Sequence, residues 1–539
     1  MCIRDRAGGG TNINGCVAIG YNAMYTGGGD GNCVIGSAAG QALTTGHNNS
    51  VLGAGAFDAA TVANYSVAIG NAAFGAFSSG ACEGVAIGSQ CAPALTNGNE
   101  NVFIGRECAP SITGGSWNVV IGKGALGSST GSNVNGNTII GRSAGRLITG
   151  GGNVVMGRHA AYSMTSASNS VIIGYECAEN LTGAGESVII GYQASRTNAI
   201  TTGQNVIIGA HCAKNIHVSS GSVVAIGAYA LDNYDGYSGG SYGGWSVAIG
   251  PGAMGTNQNT RHSVCIGNSA GNNWNPGVGQ LHEGGCVFIG GGAGADGPTT
   301  ATAAVCIGRN AYQSGNNKTG ANNVAIGVRA LEQATSGQHN VCIGTFAGYR
   351  ITTANNSVMI GYLAGYAYDT SNATQTGDQC VFIGGFAHSS STSTSYENVF
   401  GYDGTGKGSS TTFIRGSNGV YQQNNSSSWS TTSDIRIKKN VVDNNVGLDA
   451  IEKIRVRNFE YRTKEEITDF DNPDAVYCDK PGTQLGVIAQ EIQEHFPDVV
   501  ELQSTGAYTV NPDNMTWYLV NAVKELSAEV KALKAQLNS

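Results

Sequence analysis

An apolar triplet that ends in glycine recurs through most of the 539 residues, and it constrains the fold more than any other feature. Examples are NVVIG at 118–122, NVIIG at 205–209 and NVAIG at 323–327. The 22 closing glycines are most commonly 17 residues apart, and Ala or Cys stands three positions after the glycine in each of the first 21 copies. β-Branched residues favour a short strand, and glycine permits a tight backbone turn. Each repeat therefore predicts a strand, a corner, a crowded packing site and a polar turn.

A unit of this length cannot bury an apolar face alone, so the units must stack on one another. The sequence predicts a mostly β fold, a repetitive β-solenoid or β-roll shaft of about 22 repeats of about 17 residues over residues 11–401. At the ~4.8 Å spacing of paired strands, such a stack would form a rod of roughly 100 Å. Residues 1–10 are interpreted as a non-structural leader or a truncated start, and the Gly/Ser/Asn-rich residues 402–432 as a connector.

Charge and hydropathy argue against several classes of partner. The net charge is −8 and no basic run occurs along the sequence, so neither nucleic acid nor an anionic membrane surface is expected as a partner. No apolar run approaches the ~18–20 residues that span a bilayer, so no membrane insertion is expected.

The cysteines and histidines do not form a ligand pattern. Of the 14 cysteines, 11 occupy repeat-equivalent positions, where we expect buried free thiols that behave as small hydrophobic residues. These are Cys16, Cys33, Cys91, Cys108, Cys177, Cys212, Cys265, Cys286, Cys306, Cys342 and Cys380. The chain has no C-x-x-C motif and its nine histidines are dispersed, so neither a metal site nor a cofactor is expected.

Residues 433–539 differ in chemistry, with 12 Lys/Arg and 18 Asp/Glu against 16 and 18 in residues 1–432. Four segments stand out: Ser-Asp-x-Arg-x-Lys at 433–438, GVIAQE at 486–491, FPDVV at 496–500 and YLVNAVKEL at 518–526. Together they resemble the endosialidase-type C-terminal intramolecular chaperone of phage tail spikes and fibres, which implies a small α+β domain. The Ile-Gly-x-x-Ala repeats of residues 11–401 resemble those of trimeric bacterial adhesins.

The chaperone resemblance implies cleavage between Thr432 and Ser433, with Ser433 as nucleophile and Lys438 as general base. A serine hydroxyl is a poor nucleophile until a base takes its proton, and a lysine can act as that base only when burial or a nearby positive charge depresses its pKa. Asp434 and Arg436 are supporting candidates that could equally hold the local fold. In the alternative interpretation, Ser433 caps a turn and Lys438 is a solvated surface charge.

The closing segment, about 514–539, predicts a coiled-coil helix because its apolar residues alternate at spacings of four and three. They are Leu519, Val523, Leu526, Val530, Leu533 and Leu537. The residue types at these positions lean toward two strands. The resemblance implies three chains, and we therefore predict a homotrimer.

The resemblance further predicts a virion tail fibre or appendage protein, assembled in the host cytoplasm, that contacts other tail proteins and a host cell-surface receptor. Its enzymatic activity would be one self-cleavage per chain, as a serine endopeptidase without external substrates. One alternative is a tail spike that degrades glycans, which needs paired carboxylates. The other is a bacterial surface adhesin, which needs a signal peptide and a membrane anchor.

Three repeats in which the glycine spacing widens to 23 residues are candidate receptor sites, because aromatic side chains on loops suit sugar or protein contacts. The candidate contacts are Tyr234, Tyr237, Tyr242, Trp245 and Trp274. The alternative is that these segments are tolerated surface insertions.

Overall fold

The computed structural model describes residues 14–78, 82–131, 134–183, 185–197, 203–216, 222–233, 245–256, 262–274, 285–296, 303–313, 319–366, 376–415, 434–470, 472–503 and 505–538. Two compact units are present, Met1–Arg329 and Ala330–Ser539, and each is described by itself. Among the described residues, no helix is both long and apolar enough to cross a membrane.

The described part of the first unit is a β-solenoid of short parallel strands, each paired in register with the strand one repeat away. The strands are β1 (Val17–Ile19), β2 (Cys33–Ile35), β3 (Ser50–Leu52), β4 (Val67–Ile69), β5 (Val85–Ile87), β6 (Val102–Ile104), β7 (Val119–Ile121), β8 (Thr138–Ile140), β9 (Val154–Met156), β10 (Val171–Ile173), β11 (Val188–Ile190), β12 (Val206–Ile208), β13 (Val223–Ile226), β14 (Ser246–Ile249), β15 (Val264–Ile266), β16 (Val287–Ile289), β17 (Val305–Ile307) and β18 (Val324–Ile326). The predicted mostly β solenoid is confirmed.

Each three-residue strand of this unit buries its middle residue and turns its outer two residues outward, because successive side chains of a strand point to opposite faces. The four-residue strands β13 and β14 alternate in the same way. In β7, Val120 is fully buried, whereas Val119 and Ile121 are half-buried. The outward residues are valine or isoleucine in most coils, although β3 has Ser50 and Leu52. Stacking therefore gives the solenoid an apolar stripe that a single chain leaves partly exposed.

The closing glycines stack directly on one another. Gly53 has a φ of +145°, and a Cβ atom there would lie 2.3 Å from the carbonyl oxygen of Gly70 in the next coil. Gly122 has a φ of +142°, and its Cβ would lie at the same distance from Gly141 O. Only glycine tolerates both the backbone conformation and the close approach. This contact explains why the glycine recurs in each repeat.

Small residues fill the interior next to this glycine column. The Ala or Cys three positions later is fully buried, as in Ala125 and Cys108. Most repeat cysteines are buried thiols as predicted, but the prediction is wrong for Cys33, which is exposed. Cys33 is the first residue of β2, and that position faces outward.

A ladder of buried asparagines precedes the strands, and the sequence analysis did not predict it. Asn118 Nδ2 donates to Asn101 Oδ1 over 3.0 Å, and Asn137 Nδ2 donates to Asn118 Oδ1 over 3.2 Å. Asn153 Nδ2 continues to Asn137 Oδ1 over 3.0 Å. An asparagine side chain carries both donor and acceptor groups, so each member can receive a bond from one coil and donate to another.

The second unit begins with five parallel strands of the same kind within its described residues. They are β19 (Val341–Ile343), β20 (Val358–Ile360), β21 (Val381–Ile383), β22 (Asn398–Phe400) and β23 (Thr412–Ile414). Because β23 pairs with β22, the parallel pairing continues past residue 401 into the segment that we predicted as a connector.

Glu397 occupies the ladder position in front of β22 and is fully buried. Its carboxylate accepts from the backbone N–H of Gly408 (2.7 Å) and of Ser390 (3.1 Å), and from Thr394 Oγ1 (2.8 Å). These bonds connect Glu397 to the segments on both sides of β22.

The rest of the second unit is a small α+β region, as predicted. Its helices are α1 (Leu448–Ile451), α2 (Pro473–Val476), α3 (Ala489–Gln493) and α4 (Pro512–Leu537), with 3-10 helices at Ile435–Ile437, Lys464–Glu466 and Pro497–Val499. Strand β24 (Arg457–Phe459) pairs antiparallel with β25 (Gln484–Gly486), and β26 (Val500–Leu502) with β27 (Tyr508–Val510). The side chains of Ile492, Phe496, Val499 and Tyr518 form its core.

Candidate functional site

The predicted scissile bond and nucleophile, Thr432 and Ser433, lie outside the described residues. The chain is described again from Asp434, whose side chain caps the 3-10 helix Ile435–Ile437 by accepting from Arg436 N over 2.8 Å. Arg436 Nη2 also lies 2.6 Å from Asp434 Oδ2. The hydrogen bonds from Arg436 hold the pKa of the Asp434 carboxyl below its ordinary value. The two supporting candidates therefore pair with each other and fix the local turn.

The predicted general base, Lys438, directly follows this turn. Its backbone N–H donates to Ile435 O over 3.1 Å, and its side chain is exposed in the single chain. The turn places Lys438 directly after the helix that Asp434 caps. Its exposure means that this chain alone does not bury the lysine.

Two of the four sequence segments meet in the core of the α+β region. The Phe496 and Tyr518 rings lie 4.8 Å apart, and Tyr518 Oη donates to Asp498 Oδ2 over 2.7 Å. A third segment contributes Glu491, whose Oε1 lies 2.6 Å from Arg457 Nη2 on β24. These three segments therefore contribute to the core and to an ion pair of the α+β region.

Helix α4 also holds the segment that leads into α1. Glu525 Oε2 accepts from Leu448 N over 2.6 Å, and Asn521 Nδ2 donates to Asn444 O over 2.7 Å. A Cβ atom at Gly447 would lie 2.5 Å from the Glu525 carboxylate. The last helix is thereby tied to the opening segment of the domain.

Residues 433–501 match the family model described as chaperone of endosialidase. The match begins at Ser433, and it indicates a self-cleaving intramolecular chaperone in this part of the chain. With the β-solenoid, the chaperone domain fits a phage tail fibre or tail spike. No curated protein matches the chain in a sequence comparison.

The chaperone domain contacts a solenoid loop of its own unit. Asn472 Nδ2 donates to Ser390 O over 2.8 Å. Ser390 lies in the loop before β22, and the backbone N–H of Ser390 donates to the Glu397 carboxylate. This hydrogen bond from Asn472 joins the domain to the solenoid part of the second unit.

The candidate receptor contacts divide into three cases. Tyr234, Tyr237 and Tyr242 lie outside the described residues. Trp245 is 61% exposed, stacks on His262 at a centroid distance of 5.2 Å, and lines an open groove of about 520 Å³. It remains a candidate contact.

Trp274 is only 1% exposed, so the prediction of an exposed aromatic contact there is wrong. Its ring packs 4.7 Å from the Phe288 ring. Trp274 stands seven residues after Gly267, and the same position is occupied by buried Leu43 and Phe77 in other coils. The tryptophan therefore belongs to the regular interior of the coil.

Coil stacking also creates a histidine and carboxylate group that the dispersed histidines did not suggest. Among the described residues, ligand atoms of His159, Glu176 and Glu179 lie within 4.8 Å of one another. Arg196 Nη2 lies 3.1 Å from Glu176, and Arg196 Nε lies 2.8 Å from Glu179. Both carboxylates are therefore already paired with a cation of the chain.

Proposed function

We propose that this chain is a phage tail fibre or appendage protein, in which the solenoid forms a host-contacting shaft and the C-terminal domain drives assembly and then releases itself. The observation that carries the proposal is the position of the family match, which starts at Ser433 and follows the repeats. In this proposal the protein is a homotrimer that joins other tail proteins in the virion after assembly in the host cytoplasm.

The proposed reaction is cleavage of the Thr432–Ser433 peptide bond. Ser433 Oγ attacks the carbonyl carbon of Thr432 while Lys438 Nζ takes the hydroxyl proton. The carbon–nitrogen bond breaks, the Ser433 amine takes a proton, and an ester joins Thr432 to Ser433 Oγ. Water then hydrolyses the ester, which leaves a carboxylate on Thr432 and a free N-terminus on Ser433.

Association of chains would bury the Lys438 side chain, which the reaction requires and a single chain does not provide. A lysine accepts a proton only in its neutral form, and burial favours that form. Because the Lys438 side chain is exposed, a neighbouring chain must cover it. In this proposal, cutting therefore follows correct assembly.

Two apolar surfaces support association. The Val and Ile residues of the strands form the outward stripe of the solenoid, and helix α4 exposes its seam: Leu519 and Leu526 are each 49% exposed, and Val523 is 65% exposed. Exposed apolar patches of this kind favour contact between chains. The helix itself was predicted correctly, and the three-stranded coil stays a prediction.

The test is expression of the full chain followed by N-terminal sequencing of any C-terminal fragment. We expect a fragment that begins at Ser433 in the parent and none in Ser433→Ala or Lys438→Ala. Lys439→Ala is the matched control, because Lys439 is the adjacent exposed lysine, and it should cleave like the parent.

Light scattering and circular dichroism of each variant show whether it assembles and folds. Uncut parent protein that is already fully trimeric would contradict the proposed coupling of cleavage to assembly. Cleavage in Ser433→Ala would contradict the proposed nucleophile.

A further inference from the structure

The corner after the closing glycine carries a column of basic side chains that the linear sequence does not reveal. Four successive coils place a basic residue directly after the glycine: Arg106, Lys123, Arg142 and Arg158. Backbone hydrogen bonds fix the stacking; for example, His159, which follows Arg158, donates its N–H to Arg142 O over 3.0 Å. Neighbouring members are therefore one coil apart, at the ~4.8 Å spacing of paired strands.

Like charges at this spacing repel, and like charges in register destabilise a sheet. Arg106 is relieved by Glu107, whose carboxylate lies 2.8 Å from Arg106 Nη2. Within the described ranges, no carboxylate lies at ion-pair distance from Lys123, Arg142 or Arg158, and all three side chains are exposed. The column is thus positive on a chain of net charge −8, and it favours an anionic ligand.

Two tyrosines continue the same column. Tyr175 and Tyr192 follow the glycine in the next two coils and are 36% and 49% exposed. Arg158 Nη1 donates to Tyr175 Oη over 3.0 Å, and the guanidinium lies 5.3 Å from the Tyr175 ring centroid. The basic and aromatic parts therefore form one surface.

The tyrosine geometry favours a sugar over a nucleobase. The two rings stack on each other with centroids 5.5 Å apart and planes 15° apart. Each ring covers a face of its neighbour, and the Tyr175 hydroxyl already bonds to Arg158 and Glu176, so the pair mainly presents its ring edges and the Tyr192 hydroxyl. Phenol hydroxyls donate to and accept from sugar hydroxyls, whereas a nucleobase needs an open ring face on which to stack.

The acidic residues beside the tyrosines do not cancel the positive charge of the basic column. Glu176 and Glu179 both pair with Arg196, at 3.1 Å and 2.8 Å. Arg146, in the coil of Arg142, adds a further cation whose guanidinium lies 5.2 Å from the Tyr162 ring centroid. The surface keeps its positive excess.

We infer that the column from Arg106 to Tyr192 binds an acidic polysaccharide that lies along the stacked coils. Its carboxylate or sulfate groups pair with the guanidinium and ammonium groups, and its hydroxyls bond to the tyrosines. The biological setting rests on the proposed host-contacting function. The binding itself is independent of the cleavage at Thr432–Ser433, so the two can fail separately.

The experiment measures binding of polymers to the immobilised full chain. The polymers are polygalacturonate as a carboxylated saccharide, heparin as a sulfated one, dextran as a neutral one and polyuridylate as a nucleic acid. We expect at least one acidic saccharide to bind and to weaken as salt rises, because salt screens exposed charges. Dextran should not bind.

Substitutions of one or two column residues then locate the binding site. Arg142→Ser should weaken binding about threefold, and Lys123→Ser with Arg142→Ser about tenfold, on the scale of exposed ion pairs. Arg309→Ser is the matched control. Arg309 also follows a closing glycine and is exposed, but its neighbours in the column are Gly291 and Val328.

Several outcomes would overturn the inference. Equal losses in Arg142→Ser and Arg309→Ser would place binding elsewhere on the chain. Dextran binding as strong as that of the acidic polymers would remove the role of charge. Tighter binding of polyuridylate would assign the column to nucleic acid, and binding of neither acidic saccharide to the folded, cleaved chain would leave no ligand of the proposed class.

Discussion

Replacement of Gly53 by alanine tests the contact on which the solenoid depends. The new Cβ atom would lie 2.3 Å from Gly70 O, and the backbone φ of +145° disfavours any side chain. Backbone strain of this kind costs ~1–3 kcal/mol, and overfilling a close-packed contact costs a further ~1–3 kcal/mol. We expect the free energy of local unfolding around β3 and β4 to fall by about 4 kcal/mol.

Gly55, two residues further along the same coil, is the matched control. Its φ is +64°, and nothing lies within 4 Å of a Cβ atom built there. Alanine in this left-handed conformation costs only ~1–2 kcal/mol. Hydrogen exchange of the peptides that span 50–73 measures both variants, and a gap of about 2 kcal/mol is about 30-fold in protection. Equal loss of protection in Gly53→Ala and Gly55→Ala would refute the stacking argument.

Three further predictions concern the ladder, the thiols and the last helix. Asn118→Leu leaves the buried N–H of Asn137 without its acceptor, so the denaturant midpoint should drop by the equivalent of ~1–3 kcal/mol, and less in Asn118→Ser, which keeps an oxygen. Burial raises the pKa of the Cys342 thiol to about 12, whereas an unfolded thiol has a pKa of ~8.5. Because only the unfolded chain loses this proton above pH ~8.5, the free energy of unfolding should fall as the pH rises further, by at most ~1.4 kcal/mol per pH unit for this thiol. The fall should be less steep in Cys342→Ala. Leu526→Asp, on the exposed seam, should abolish chain association and cleavage in light scattering and gel assays, whereas Ala528→Asp, off the seam, should do neither.

The periodic part of the fold was predictable because each coil meets the same constraint. The glycine and the small residue three positions later are set by contacts between adjacent coils, and these contacts repeat at every turn. Gly122 and Ala125 illustrate both: the first has no room for a Cβ atom, and the second is fully buried. A constraint that recurs 22 times is visible without any structure.

Features that join different coils were harder to predict. Lys123 and Arg142 are 19 residues apart and look isolated in the sequence, yet they are neighbours in the folded chain. The asparagine ladder was missed for the same reason. Trp274 was misjudged because the interior has a second inward position, seven residues after the glycine, which alanine, leucine, isoleucine and aromatic residues all occupy.

For the candidate site, the sequence motif predicts cleavage at Thr432–Ser433, and the structure describes the residues that follow from Asp434. Asp434 and Arg436 pair with each other, and Lys438 is exposed. In the proposed function, the catalytic roles of Ser433 and Lys438 would depend on contacts between chains, which a single sequence does not encode locally. They stay predictions.

The buried carboxylate at Glu397 gives its ladder position a different role from that of the asparagines. An asparagine in the ladder relays a hydrogen bond, since it can both receive from one neighbour and give to the next, whereas an ionised carboxylate can only receive. Both Glu397 oxygens instead accept from the segments on either side of β22, and the equivalent position one coil earlier is Cys380, so Glu397 stands apart from the asparagine relay. Repeats inserted before Glu397 should therefore lengthen the solenoid and leave this ending unchanged, whereas repeats inserted directly after β22 would separate Glu397 from Gly408 and break the bond between them.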